Sequence, residues 1–365
     1  MRTFVMGDPQ APFAKVLEVL DSHGALQGGR LGTDVVLVSI GDHFDYDLRN
    51  PQTAGREGLQ VLRWLASHDP AQAVLLFGNH DASRVMELAT LADEEFEAAR
   101  QLARSIDDTE HDAGDDAAKA RVKTEYEPAF PTLPPPGVVG RDYASFNSEQ
   151  RALVMELLLA GRFHLAKTGT LPDGRPVLLT HAGVTTRELA LLGVADALPD
   201  AIAEALEAHL ASAIDRVRDD WQRGVATPLS LEPLHVTGGR GEEGGGLLYH
   251  RPSNPDRPDA DKAWSLDPSR PRRFDPRKLP VGLTQIAGHS GHAKCVYELG
   301  EWATESAKAR KHGGIRTLRV EGALVTYDLG IAPPKADVAD LILIDGELRR
   351  VPAAEVALLP LARVK

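Results

Sequence analysis

Short apolar runs that end abruptly in polar residues recur along the chain. The clearest is Val74-Leu75-Leu76-Phe77, which is followed at once by Gly78-Asn79-His80-Asp81. Such a run is typical of a buried strand, and open α/β sheets place their ligands at the carboxyl ends of their strands. Four further runs have this form: residues 3–6 before Asp8 and Gln10, 35–40 before Asp42 and Asp45, 177–180 before His181, and 283–287 before His289. The pattern predicts five strands whose ends meet at one site.

Two stretches of helical spacing separate the first three predicted strands. Their apolar positions are Phe13, Val16, Leu17 and Leu20 in the first stretch, and Leu59, Leu62 and Leu65 in the second. Strands that alternate with helices in this way predict a parallel sheet with right-handed crossovers. The fold class indicated by the first hundred residues is therefore α/β.

The rest of the chain predicts two helices and more strands. The helices cover residues 153–159 and 198–221. Three hairpins are predicted: 163–170 with 177–180 across Leu171-Pro172-Asp173-Gly174-Arg175, 316–320 with 323–328 around Glu321-Gly322, and 341–344 with 347–351 around Asp345-Gly346. We expect this β-rich C-terminal part to complete a second sheet.

We predict a single domain over residues 1–365 that carries two insertions. The first, residues 82–139, is charged and rich in alanine, with acidic clusters at Asp93-Glu94-Glu95 and Asp115-Asp116. It is either a solvated pair of helices or a cap over the site. The second, residues 198–258, joins a long amphipathic helix to a loop rich in glycine and proline. That loop is either plainly flexible or a cradle for a phosphate.

Composition excludes some classes of protein. The 365 residues carry a net charge of −12, and the pI is near 5.6. General nucleic-acid binding needs basic surface, so this balance argues against it. No apolar stretch is long enough to span a membrane. The single cysteine, Cys295, cannot form an internal disulfide, and we expect a cytoplasmic protein without a signal segment.

The residues at the predicted strand ends are Asp, Asp, Asn, His and His, which suit Mn, Fe or Zn and predict one two-metal site. In order, Gly-Asp-x-Gln, Gly-Asp-x-x-Asp, Gly-Asn-His-Asp, Thr-His-Ala-Gly and Gly-His-Ser resemble the signature blocks of the calcineurin-like metallophosphoesterase superfamily. They look most like its phosphoprotein-phosphatase branch, with the bacterial relatives and the symmetrical diadenosine-tetraphosphate hydrolases. This resemblance implies a four-layer α/β/β/α sandwich.

The resemblance also implies roles for particular residues. Asp42 would bridge two divalent metal ions, and Asp8 would bind the first of them. Asn79, His181 and His289 would bind the second. His80 would protonate the leaving oxygen, and Asp45 would orient His80. The two metals would hold a bridging hydroxide that attacks the phosphoryl group in line.

Three positions depart from the pattern. Gln10 stands where the first block usually has histidine, and an amide oxygen there favours Mn or Mg over Zn. Tyr46 replaces the arginine of an Asp-Arg pair that helps to hold the substrate phosphate. The last block usually reads Gly-His-x-His, and here it reads Gly288-His289-Ser290-Gly291-His292. With one extra residue, His292 either reaches the first metal or faces solvent.

Another cation must replace the missing phosphate clamp, since arginine suits phosphate best. Arg84 lies one helical turn beyond His80, and Arg251 lies in a segment that weakly resembles Gly-Pro-x-Trp-x-Arg-Pro of the related hydrolases. Each is therefore a candidate to bind the phosphate of the substrate, with an ordinary surface arginine as the alternative.

The sequence thus predicts a dinuclear metallophosphoesterase that hydrolyses phosphomonoesters, with Mn as the expected metal and Fe, Zn or Mg as alternatives. The expected partner is a phosphorylated small molecule, a nucleotide or a phosphoprotein. A phosphodiesterase or nucleotide pyrophosphatase of the same superfamily is the first alternative, indicated by Gln10 and the absent Asp-Arg pair. A scaffold that binds metal without catalysis is the second, and Gln10 is its only cue.

Overall fold

The computed structural model describes residues 1–257 and 269–365. Helices begin after most of the predicted strands, and the long amphipathic stretch near residue 200 is one helix, as predicted. The helices are α1 (Phe13–Ser22), α2 (Pro51–Ala66), α3 (Asn79–Ser83), α4 (Asp93–Ala113), α5 (Asp115–Arg121), α6 (Glu127–Ala129), α7 (Ser148–Leu159), α8 (Thr186–Leu192), α9 (Pro199–Gln222), α10 (His292–Leu299) and α11 (Glu305–Lys308). None of the described helices is both long and apolar enough to cross a membrane.

All five strands predicted to end at the site are present, together with many short ones. The strands are β1 (Arg2–Met6), β2 (Leu26–Gln27), β3 (Arg30–Leu31), β4 (Val35–Ser39), β5 (Ala73–Leu76), β6 (Phe163–His164), β7 (Ala166–Thr170), β8 (Pro176–Thr180), β9 (His235–Val236), β10 (Gly245–Gly246), β11 (Arg251–Pro252), β12 (Arg273–Phe274), β13 (Thr284–Ala287), β14 (Arg316–Glu321), β15 (Leu324–Leu329), β16 (Ala339–Leu343), β17 (Leu359–Leu361) and β18 (Arg363–Val364). The fold is a mixed α/β fold with several sheets.

The first large sheet has the strand order β17-β1-β4-β5-β6. Strands β1, β4, β5 and β6 are parallel, and β17 is antiparallel to β1 at the edge. In register, Val5 lies opposite Val38, and Val38 lies opposite Val74. Helices α1 and α2 supply the crossovers, which confirms the predicted β-α-β-α-β order.

The second large sheet has the order β15-β14-β16-β13-β8-β7-β18. Its three central strands β16, β13 and β8 are parallel, and antiparallel strands flank them on both sides. In register, Ile286 lies opposite both Leu179 and Ile342. Each large sheet therefore has a parallel centre whose carboxyl ends are available for a site.

Apolar side chains of the two large sheets pack against each other. Val38 and Leu76 from the first sheet share one buried cluster with Leu179, Ile286 and Ile342 from the second. A larger cluster joins α1, α2, α7 and α9 to the sheets, and another joins α10 and α11 to β14 and β16. The strands are apolar on both sides because both sides are covered.

The first predicted insertion contains α4 and α5, and these helices belong to a small apolar cluster of their own that includes Phe96, Tyr126 and Val139. Its acidic residues Glu94 and Asp115 are exposed. In the second predicted insertion the helix is α9, and residue 258 lies outside the described residues.

Two strand predictions were wrong in detail. Residues 163–170 do not form one strand, because Leu165 separates β6 in the first sheet from β7 in the second. The β7–β8 hairpin itself is confirmed, as is the β14–β15 hairpin around Glu321-Gly322. The hairpin around Asp345-Gly346 does not form. Strand β16 already lies between β13 and β14, so no free edge remains for residues 347–351.

Candidate metal centre

The carboxyl ends of the parallel strands of both sheets meet. Strands β1, β4 and β5 lead to Asp8, Asp42 and Asn79, while β8 and β13 lead to His181 and His289. The Asp8 carboxylate of the first sheet accepts the backbone N–H of His289 from the second at 3.0 Å. The structure therefore brings together the five residues that the strand pattern predicted to converge.

Two glycines allow this close approach. A side chain on Gly78 would begin 2.3 Å from Asp42 Oδ1, and one on Gly288 would begin 2.1 Å from Asp8 Oδ1. Any Cβ at either position would displace a carboxylate of the centre. The glycines of the sequence blocks are thus required by packing.

Backbone strain is concentrated at the same place. Asp42, Asp45 and His289 adopt left-handed conformations with φ of 60°, 66° and 59°. Such conformations cost free energy for residues other than glycine and are found at sites where the surrounding structure imposes them.

Asp81 holds the turn that carries Asp42. Its buried carboxylate accepts the backbone N–H groups of Asp42 and His43 at 3.0 and 3.2 Å, and that of Gly78 at 3.1 Å. The carboxylate also bonds His43 Nδ1 at 3.0 Å. Asp81 therefore joins the ends of β4 and β5.

Asp42, His181 and His289 form a buried group whose ligand atoms all lie within 4.8 Å of one another. His181 Nε2 lies 3.1 Å from Asn79 Oδ1, 3.2 Å from His289 Nδ1 and 3.4 Å from Asp42 Oδ1. An oxygen or nitrogen of each of four side chains thus faces one small volume, which is the arrangement that a bound metal requires.

The hydrogen bonds on the far sides of the two rings make these facing atoms acceptors when the rings are neutral. His181 Nδ1 lies 2.8 Å from the carbonyl oxygen of Ile40, and His289 Nε2 lies 3.0 Å from that of Tyr249. A carbonyl only accepts, so these ring nitrogens donate, and in a neutral ring the other nitrogen then carries a lone pair. When both rings are neutral, the lone pairs of His181 Nε2 and His289 Nδ1 face each other with no donor between them. A cation would satisfy both, so the donor set fits a divalent metal.

The electrostatics of the two rings agree with a shared positive charge. Burial alone would lower the pKa of His181, but the negative charge of Asp42 raises it to about 9. For His289, burial and the charge of Arg251 lower the pKa well below the usual value. Asp42 thus favours one positive charge in this group, which either a proton on His181 or a metal ion held by neutral rings would supply.

Beside this group lies a cavity of about 300 Å³ that is lined mainly by charged side chains. Its walls include Asp8, Gln10, Asp45, His80, Asp142, Asp345 and Glu347. Gln10 uses its Nε2 to donate to the carbonyl oxygen of Phe44 at 3.0 Å, which fixes its amide at the wall.

Asp345 also lines this cavity, and the sequence patterns assigned it to a turn. Burial raises the pKa of Asp8, and the charges of Asp345 and Asp42 raise it further. Burial also raises the pKa of Asp345, although the charge of Arg316 opposes the rise. The three carboxylates are therefore close enough to repel one another. The signal that could have found Asp345 is the same strand-end rule, because residues 341–344 are an apolar run that ends in Asp-Gly.

His80 lies between this cavity and a buried ion pair. Its Nδ1 is 2.9 Å from Asp45 Oδ2, and its Nε2 is 3.9 Å from Asp42 Oδ2. Burial alone would lower the pKa of His80, but the charge of Asp42 and the hydrogen bond to Asp45 raise it to about 9. The hydrogen bond orients the ring as predicted for these two residues.

Arg84 is not at the surface of the cavity, so the structure contradicts its predicted contact with the phosphate of a substrate. Its guanidinium is fully buried and lies 2.7 Å from Asp45 Oδ2. Its other donors are used by Gln150 Oε1, the carbonyl oxygen of His80, and the hydroxyls of Ser83 and Ser145. With every donor group satisfied inside the protein, Arg84 supports the carboxylate that orients His80.

His292 is also directed away from the centre. Its Nδ1 lies 2.8 Å from the Tyr327 hydroxyl, and its Nε2 lies 3.0 Å from the carbonyl oxygen of Ala307. The ring is completely buried against β15 and α11, so it neither reaches the metal group nor faces solvent. The first position of α10 points its side chain into the apolar cluster of the second sheet, which the sequence spacing could not reveal.

Arg251 lies beside the metal group. Its guanidinium is 5.8 Å from the ring centre of Tyr249, the residue whose carbonyl oxygen accepts from His289. Its Nε is buried without a hydrogen-bond partner. The positive charge of Arg251 also lowers the pKa of the neighbouring Lys294 to about 8.

The fold is a mixed α/β framework, and its buried group of Asp42, His181 and His289 could hold a metal ion. The family model of the calcineurin-like phosphoesterases matches residues 1–189, which include the strand ends from Asp8 to His181. The chain belongs to this family, as the sequence blocks predicted. Searches of curated proteins and of solved structures found no match.

Proposed function

We propose that the chain is a dinuclear metal-dependent phosphoesterase that hydrolyses phosphomonoesters. The observation that carries the proposal is the convergence of acceptor atoms from Asp42, Asn79, His181 and His289 in a chain of the calcineurin-like phosphoesterase family. The packing of the two sheets against each other, with helices on their outer sides, supports the four-layer α/β/β/α arrangement.

These acceptors would hold one divalent ion, with Asp42 shared between two. Asp8 and Gln10 line the adjoining cavity and would hold the second ion. Two such ions stabilise the charge that develops on a phosphoryl oxygen and activate water at neutral pH. We expect manganese, because carboxylate and amide oxygens are hard ligands.

His80 is placed to deliver a proton to the leaving oxygen. Its Nδ1 is held by Asp45, so its Nε2 is the atom that faces the cavity and Asp42. General acid catalysis needs a donor in a fixed orientation close to the reacting group. The Arg84–Asp45 ion pair behind the ring supplies that orientation. Asp45 is thus a positioning residue.

Arg251 is the better candidate for binding the substrate phosphate. Among the described residues its guanidinium has no hydrogen bond or ion pair, although most arginines near the site are paired. The nearby ammonium of Lys294 repels it. An anion between these two cations would remove the repulsion, and a phosphate presents several acceptor oxygens.

The decisive experiment compares p-nitrophenyl phosphate with bis-p-nitrophenyl phosphate in Mn, Mg, Zn and chelator. We expect monoester hydrolysis that requires metal and that H80A depresses. H111A, which changes an exposed histidine on α4, serves as the matched control. Preference for the diester would favour the phosphodiesterase or pyrophosphatase alternative instead. Metal binding without turnover of either compound would favour the scaffold.

The physiological substrate is then sought among phosphoserine and phosphothreonine peptides and nucleotides. Arg141 and Asp142, just after the predicted insertion of residues 82–139, line the cavity. Substrates that differ beyond the phosphate would contact this wall. R141A is therefore expected to change KM differently for peptides and nucleotides, with little change for p-nitrophenyl phosphate.

A further inference from the structure

A sixth parallel strand end reaches the centre. Strand β16 runs parallel to β13, with Ala287 opposite Leu343, and the N–H of Ile344 donates to the carbonyl oxygen of Ala287 at 2.9 Å. Two residues beyond this pair come His289 on one strand and Asp345 on the other. Asp345 therefore follows β16 at the same register position at which His289, a candidate metal ligand, follows β13.

The backbone at Asp345 lies directly against the loop that carries Asp8. A Cβ on Gly7 would begin 2.3 Å from the carbonyl oxygen of Ile344 and 3.1 Å from the Cα of Asp345. Asp8 and Asp345 also line the same cavity. The absence of a side chain at Gly7 therefore lets the two acidic residues approach the centre together.

Asp345 also fills the space beside Gly291, where the resembling family has the second histidine of Gly-His-x-His. A Cβ on Gly291 would lie 3.4 Å from Asp345 Oδ2 and 3.5 Å from Glu347 Oε1. Two carboxylates are thus near the position from which an imidazole would extend. Gln10 replaces the other expected histidine. This side of the centre therefore has oxygen donors at the positions of both missing imidazoles.

The carboxylate of Asp345 is poorly compensated by the protein. Its Oδ1 accepts the N–H of Glu347 at 3.0 Å, and no hydrogen bond from residues 1–257 or 269–365 reaches its Oδ2. The buried guanidinium of Arg316 donates instead to the carbonyl oxygens of Asp345 and Ser290. No lysine or arginine in the described parts of the chain bonds the carboxylates of Asp8 or Asp42 either. A divalent ion would supply the missing positive charge.

We propose that Asp345 is a further metal-binding carboxylate of the centre, which makes the half that contains Asp8 and Gln10 an all-oxygen site for Mn²⁺ or Mg²⁺. The neighbouring convergence of histidine lone pairs is the independent observation that a cation belongs here. The inference rests on the proposed function, since it adds a residue to the same centre. Hard oxygen ligands without imidazole disfavour zinc at this position.

The test measures metal binding by the full-length chain through calorimetry and metal analysis, with D345N as the variant. Asparagine can still accept the N–H of Glu347, so the turn is retained. We expect wild type to bind two Mn²⁺ and D345N to bind one of them about 10- to 100-fold more weakly. Zinc binding at the histidine side should be unchanged. The matched control D337N alters an exposed aspartate just before the same strand and should bind like wild type.

Thermal unfolding separates a metal role from a purely structural one. In chelator, D345N should be at least as stable as wild type, because a repelling carboxylate has been removed. With Mn²⁺ it should gain less in Tm than wild type gains. Equal Mn²⁺ affinity in both proteins, or a loss of stability of the same size with and without metal, would overturn the inference.

These readouts do not depend on catalysis. Two Mn²⁺ sites with the expected effect of D345N, but no hydrolysis of any phosphate ester, would leave the inference standing and contradict the proposed function. Metal-dependent hydrolysis together with unchanged Mn²⁺ binding in D345N would support the proposed function and overturn the inference about Asp345.

Discussion

The two sides of Asp42 are built differently. On one side, the histidine half comprises Asn79, His181 and His289, and both rings are fixed by hydrogen bonds to backbone carbonyl oxygens. The proposed carboxylate half comprises Asp8, Gln10 and Asp345, which line the cavity. Both rings of the histidine half are thus oriented by the protein, whereas no lysine or arginine in the described parts of the chain bonds the carboxylates of Asp8 or Asp345.

This difference indicates which half of the centre needs a bound metal ion to offset its charge. Orienting hydrogen bonds preorganise the histidine half, so a metal that binds there needs little rearrangement. A cation in the carboxylate half would relieve the repulsion between Asp8, Asp42 and Asp345. We therefore expect the histidine half to bind metal more tightly and with less selectivity, and the carboxylate half to bind hard ions.

The largest expected effect comes from metal removal. Chelation should abolish turnover, since both halves lose the ions that stabilise phosphoryl charge. Titration of the chelated protein with Mn²⁺ should then restore turnover in two steps, measured with p-nitrophenyl phosphate. Zn²⁺ should fill only the histidine half and restore less. Identical recovery with both metals would contradict the distinction between the halves.

The next effect concerns His80, which lies beside both halves and belongs to neither. H80A should lower kcat by about 10²- to 10⁴-fold, the range for loss of a general acid. Metal stoichiometry, measured on the same samples, should stay at the wild-type value because His80 Nε2 is 3.9 Å from Asp42. A variant that loses metal together with turnover would show that His80 is part of the centre's ligand set.

A smaller effect is expected from the ion pair behind His80. R84M removes the partner of a fully buried carboxylate, Asp45, and should lower the free energy of unfolding by about 3–5 kcal/mol in denaturant titrations. The matched control R63M breaks an exposed pair with Glu149 and should cost at most about 1 kcal/mol. Equal effects of the two changes would contradict the supporting role of Arg84.

The smallest effect on the centre is expected from His292. H292A removes a buried ring that bonds Tyr327 and Ala307, so the free energy of unfolding should fall by about 1–3 kcal/mol. Binding of Mn²⁺ and Zn²⁺, measured by calorimetry, should not change in either half. Loss of one metal ion from H292A would instead indicate that His292 is a metal ligand.

Much of the centre was predictable because its residues are local to strand ends. An apolar run has to be buried, and its polar terminus has to lie at the sheet edge, so the strand pattern alone groups Asp8, Asp42, Asn79, His181 and His289. Asp345 obeys the same rule. It was missed because Asp-Gly is also a hairpin signal, and only the occupied edges of β16 exclude the hairpin.

Sequence alone determined which strands carry polar termini, the order of the family blocks and the helices between them, because these features depend on neighbouring residues. Tertiary structure decided the surroundings of Arg84, His292 and Asp345. Arg84 is buried by Gln150 and Ser145, far along the chain, and His292 is held by Tyr327. Residue type and spacing specify what a side chain is able to bind, but the elements that pack around it determine which partner it has.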